Sequence, residues 1–164
     1  MDAILYVNGN HFLNDWCKHF GHHNDQKNGI VHFNNGMSNL LYDGIPDPDE
    51  DWEYPNYNFD INVDHEIYMF INDKPSTEEE FIEQINFFYS LTAYVCKYSD
   101  SDVLMYFEDS VPLVYRSKGK LILGDYVIGK DFSMYYLKGL KNFDGMDYTV
   151  EDLNKYYRDQ PFEF

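Results

Sequence analysis

Apolar and polar positions divide this chain into segments of distinct period. AILYV, residues 3 to 7, is a short apolar run closed by Asn8-Gly9-Asn10 and reads as a strand. HFLNDWCKHF, residues 11 to 20, then places Phe12, Leu13, Trp16, Cys17 and Phe20 at helical spacing, with Gly21 positioned to end the helix. Residues 21 to 39 are rich in Asn, His and Gly and read as loop, with a brief strand at Ile30 to Phe33. FDINVDHEIYMFIND, residues 59 to 73, alternates. It predicts a strand with Ile61, Val63, His65, Ile67, Met69 and Ile71 on one side.

Lys74-Pro75 closes that strand, and Ser76 with Glu79 forms a capping-box signature. Phe81, Ile82, Ile85, Phe88, Leu91, Thr92 and Val95 follow as an apolar stripe through Tyr98, predicting a long helix. The period then returns to two. VLMYFE (103 to 108), VPLVYR (111 to 116) and KLILG (120 to 124) read as a meander, with Pro112 marking an edge position or a bulge. FSMYYL (132 to 137) reads as extended, and Thr149 with Asp152 repeats the capping signal before DLNKYY. The expected fold is α+β: residues 1 to 164 as a single domain, an antiparallel sheet or meander packed against a long central helix.

Composition supports a core. A 164-residue chain with 19% aromatic residues can bury roughly 70% of its unfolded surface without a disulfide or a structural metal. Cys17 and Cys96 fall at apolar helical positions, where inert buried thiols belong, and they fit a reducing compartment. The first ten residues carry an acid and too short an apolar run for a signal peptide, so the expected localisation is cytoplasmic.

Charge changes the picture more. The net charge is −17, which repels nucleic acid and anionic membranes. Residues 1 to 82 hold sixteen acids and three bases, and between Asp43 and Glu80 thirteen acids face Lys74 alone. The densest part is YDGIPDPDEDWEYPNY, residues 42 to 57. Asp47-x-Asp49-x-Asp51 begins like a calcium loop, but Trp52 stands where the turn glycine belongs, Asn58 where the bidentate glutamate belongs, and Pro48 stiffens the middle. No metal is expected there. His19, His22 and His23 make an incomplete ligand set, for which a helix-end dipole contact is the plainer account.

No G-x-S-x-G elbow, phosphate loop or dinucleotide fingerprint is present, so neither an enzyme nor a cofactor is expected. A solvating acidic segment has no use for Trp52, Tyr54 and Tyr57, whereas binding surfaces use aromatic anchors ringed by charge. The candidate partner-binding residues are therefore Asp47, Asp49, Glu50, Asp51, Trp52, Glu53, Tyr54, Tyr57, Asp60 and Asp64. Their complement is a basic protein surface. The segment SDVLMYFEDSVPLVYRSKGKLILG, residues 101 to 124, resembles bacterial immunity proteins that neutralise toxins delivered between competing cells. That resemblance implies an α+β fold and inhibition of a cognate toxin by occlusion of its active site or substrate cleft, with no catalytic residues. The alternatives are a DNA mimic, disfavoured by a nearly balanced second half, and a small metal-dependent or other enzyme.

Overall fold

The computed structural model describes residues 2–46, 59–72, 74, 77–107, 112–124 and 139–156. Among these, nine strands form one sheet: β1 Asp2–Val7, β2 His23–Asp25, β3 Ile30–His32, β4 Ser38–Gly44, β5 His65–Phe70, β6 Val103–Phe107, β7 Val114–Ser117, β8 Lys120–Gly124 and β9 Thr149–Glu151. Their spatial order is β2-β3-β4-β5-β1-β6-β7-β8-β9. Neighbours run antiparallel except β8 and β9, which are parallel. Two helices, α1 Phe12–Phe20 and α2 Glu78–Tyr98, complete an α+β architecture. The sheet is thus larger than a meander, and mixed at one edge.

The period-two pattern explains how both faces are used. Ala3, Leu5 and Val7 of β1, Ile67 and Met69 of β5, and Val103, Met105 and Phe107 of β6 face the helices. There they meet Phe12, Leu13 and Trp16 of α1 and Ile85, Phe88, Leu91 and Val95 of α2. Trp16 donates from Nε1 to Ser90 Oγ at 3.1 Å, so the largest buried ring also ties the helices together. Intervening residues Tyr6, Leu104, Tyr106, Tyr115 and Ile122 point to the opposite face. Phe59, Ile61 and Val63, with Leu153 and Tyr156 of a 3-10 turn at Leu153–Tyr156, cover that side of the sheet.

Local chemistry sets the ends of the elements. Gly21 adopts φ 72°, and the chain turns back with His22 N–H donating to Cys17 O at 2.8 Å. The β7–β8 hairpin turns through Lys118 and Gly119 at φ 52° and 79°, the turn hand that matches strand twist. At the C-terminal end of α2, Arg116 of β7 is buried and forks across three carbonyls. Nη1 donates to Cys96 O at 2.6 Å, Nη2 to Ser99 O at 2.8 Å and Ser101 O at 2.6 Å, and Nε to Ser101 O at 2.9 Å. A cation at the negative end of a helix satisfies carbonyls that have no partner within the helix.

Several expectations shift. Residues 21 to 39 are mainly turn and loop, with the brief strand expected there present as β3, and they also hold β2 and the start of β4, joined by an Asp25–Asn28 side-chain turn and by Asn34-Asn35-Gly36. Short polar hairpins carry little periodicity, so composition outweighed pairing. The strand expected over 59 to 73 is confined to His65–Phe70, because Phe59 to Val63 crosses over the outer face instead of pairing. The cap of α2 is Thr77, whose side chain accepts from Glu80 N–H at 3.2 Å, one residue beyond the expected frame. β7 begins at Val114, after Pro112, as a missing N–H would dictate. Thr149 lies in β9 rather than capping a helix, and Leu153–Tyr156 is a single 3-10 turn. The extended segment expected at 132 to 137, like Ser76, lies outside the described residues.

Candidate functional site

β4 and β5 pair so that Tyr42 stands directly opposite Tyr68, and their rings stack at 5.5 Å between centroids. Leu40 on β4 and Phe70 on β5 share that outer face, and Ile45 follows at the strand end. Leu40 is 49% exposed, Tyr42 52%, Phe70 46% and Ile45 80%. Phe59 to Val63 and the turn at Leu153–Tyr156 pack on the β1, β6, β7 and β8 side of this face; over β4 and β5, Leu40, Tyr42 and Phe70 are exposed and Tyr68 is half-buried. Scattered exposed leucines need no explanation, but adjacent aromatic and aliphatic side chains on paired strands form a contact surface.

Of the residues expected to bind a partner, Asp47, Asp49, Glu50, Asp51, Trp52, Glu53, Tyr54 and Tyr57 lie outside the described residues. The chain enters that stretch directly from Tyr42, Asp43 and Ile45. Asp60 is exposed and pairs with Lys118 Nζ at 3.0 Å, while its carbonyl accepts from Ser117 Oγ. Asp64 sits elsewhere, at the end of β1. It accepts from His65 Nδ1 at 2.8 Å and from Gly9 N–H at 2.7 Å. With its amide nitrogen turned toward the carboxylate, Asn8 donates to both Asp64 oxygens at 3.1 and 3.2 Å. The His65 hydrogen bond, then the Gly9 amide, hold the Asp64 carboxyl below the usual carboxylate range. The two aspartates are therefore not one patch: Asp60 braces the β7–β8 turn and Asp64 the β1–α1 turn.

The three clustered histidines diverge. His19 packs between Tyr94 and Tyr98 at 5.4 and 5.5 Å, and His23 stacks on His32 across the β2–β3 pair. His22 turns inward against Trp16, Phe33 and Phe87, and its Nδ1 accepts from Asn34 N–H at 3.0 Å. Burial lowers its pKa. No group of three or more potential metal ligands gathers among the described residues. Cys17 and Cys96 are buried free thiols, each pushed up to about 11 by burial, so neither is primed as a nucleophile. No helix of the described residues is long and apolar enough to cross a membrane.

The β4–β5 stripe was missed at the level of sequence, although a signal existed. In HEIYMF the residues opposite the inward Ile67 and Met69 are Glu66, Tyr68 and Phe70, two aromatics where a strand with one solvated face would carry polar groups. Comparison with protein-family models, with curated proteins and with solved structures returns no match.

Proposed function

We propose that this chain is an acidic, non-enzymatic inhibitory binding protein of the immunity type, which neutralises a cognate bacterial toxin domain by covering a basic active-site or substrate cleft. The observation that carries this reading is the set of exposed side chains Leu40, Tyr42 and Phe70 beside Tyr68 on a chain of net charge −17, with Leu40 and Tyr42 leading into its densest run of acids. An apolar centre with a charged surround is how protein interfaces are built, and opposite potentials speed encounter by about 10 to 10³-fold. Asp47, Asp49, Glu50, Asp51, Trp52, Glu53, Tyr54 and Tyr57 supply the acidic, aromatic part of that contact; Asp60 and Asp64, engaged at separate turns, are not part of it.

The two parts have separable kinetic signatures. Tyr42 and Phe70 are about half exposed, so burying the remainder in a partner is worth about 0.8–1.5 kcal/mol each, and Tyr42→Ala or Phe70→Ala accelerates dissociation by roughly four- to twelvefold. Neutralising Asp49, Glu50 and Asp51 together to Asn or Gln slows association and flattens its salt dependence. Association and dissociation rates on a surface-immobilised basic toxin domain that captures this chain provide the measurement. Unchanged rates for both sets of variants would remove this surface as the docking site.

A further inference from the structure

A cleft of about 590 Å³ opens on the helix face of the sheet, where the start of α1 meets β2 and the ends of β4 and β5. Its floor is apolar, from the buried Leu13 and Leu41. Its polar groups fall into two kinds. Asn14 is already committed, its Oδ1 accepting from Asn24 at 2.7 Å and Gln26 at 3.0 Å. Asn10, His11 and Asp43 also line the cleft, and their side chains hold no hydrogen bond or ion pair among the described residues. His65 belongs with them by its outer nitrogen: Nδ1 is engaged by Asp64 at 2.8 Å, which in the neutral ring leaves Nε2 as an acceptor.

Strand register places the two principal acceptors together. Asp43 pairs with Ile67 across β4 and β5, so Asp43 and His65 are diagonal neighbours on one face, with a backbone spacing of about 7–8 Å, and both line the cleft. Competing terms decide the sign of the ligand. The start of α1 contributes about half a positive charge. Asp43 contributes a full negative one, and among the described residues no lysine or arginine lines the cleft. A concave site with an apolar floor and a few convergent unpaired acceptors is built to bind.

We propose that this cleft is a binding site for an alkyl guanidinium or ammonium group, its stem on Leu13 and Leu41 and its head bridging Asp43 and His65 Nε2. Asp64 is the positioning residue that fixes the His65 ring. Tyr42 borders the cleft, but the proposed contacts, Leu13, Leu41, Asp43 and His65, lie on the helix side of the sheet, so the cleft binds such a group whether or not the outer stripe docks a protein.

NMR titration of the full chain with n-butylguanidinium and with Nα-acetyl-arginine amide tests it. The expected result is saturable shifts confined to amides around Asn10 to Asn14, Asn24 to Gln26, Asp43 to Ile45 and His65. Asp43→Asn, an exposed position where the fold is not at stake, weakens binding by about two- to fivefold, the scale of one exposed charge pair. Tighter binding of the arginine amide assigns the group to a protein side chain; tighter binding of butylguanidinium assigns it to a free small cation. The absence of saturable shifts, equal binding of neutral Nα-acetylcitrulline amide, or an unchanged affinity in Asp43→Asn overturns the site.

Discussion

His22 is held neutral by its surroundings. Its Nδ1 accepts the Asn34 N–H, and its ring lies against Trp16, Phe33 and Phe87, so protonation would set two N–H groups against each other in a desolvated place. Burial lowers its folded pKa below the ordinary value of 6.5. Between those values the unfolded chain binds more protons than the folded one, so stability rises with pH across the window. The contribution of His22 is complete above about pH 6.5 and is lost as pH falls through the lowered folded value. The His22 ring resonances should titrate with a midpoint below 6.5. His22→Phe should flatten the dependence of the urea midpoint on pH in that window, and an undiminished slope would assign the titration to another group. Sequence placed His22 beside His19 and His23 as a possible ligand cluster. Only the turn at Gly21 decided that the three rings face different neighbours, because a left-handed residue redirects the chain after the helix.

At the scale of elements, the joint between α2 and β7 depends on one side chain. Arg116 is 7% exposed, has no carboxylate partner among the described residues, and is satisfied by four hydrogen bonds to Cys96, Ser99 and Ser101 carbonyls. Charge-assisted bonds of this kind are worth more than neutral ones, and removal also leaves helix-end carbonyls buried. Arg116→Met should therefore cost about 2–4 kcal/mol in urea unfolding, with Arg116→Lys recovering less than half, since an ammonium cannot reproduce the planar fork. A loss under about 0.5 kcal/mol would mean that water replaces the fork without penalty. Arg116 is also the one basic residue of β7. Its place here is a helix clamp, so that residue reports how the fold is joined rather than what the protein binds.

The elements also show where sequence reading holds. β1, α1, α2, β6 and β8 were legible because each buries a regular stripe or alternation on a large core. β2 and β4 were not, since their residues are mostly polar or exposed; β2 is held by its hairpin partner β3, and β4 by β3 and by the distant β5. The outer stripe was illegible for a related reason. Tyr42 and Tyr68 are twenty-six residues apart, and only the β4–β5 register sets them ring to ring.

For the whole molecule, −17 charges on one folded surface repel one another. Raising ionic strength from 0.01 to 0.15 M shortens the Debye length from about 30 to about 8 Å and should screen much of that repulsion. The melting temperature should rise, by about 2–4 °C for each kcal/mol relieved in a chain of this size. Calorimetry across that salt range provides the check; a falling melting temperature would show that ion pairs such as Asp60–Lys118 outweigh the net repulsion. Association with a basic partner has the opposite dependence, slowing as salt rises, so the two effects can be measured apart.

Composition and period alone determined that this is an α+β chain with a long capped helix, a two-faced run of strands near the C-terminal half, inert thiols and a concentrated negative charge. Each of these is a local or summed property of the residues. The tertiary structure decided which side of the sheet is covered, that Asp60 and Asp64 serve different turns, and that Asp43 and His65 meet in one cleft. Those are consequences of register and of chain crossing, where pairing energy between distant segments fixes which side chains share a face and neighbouring sequence carries no record of the choice.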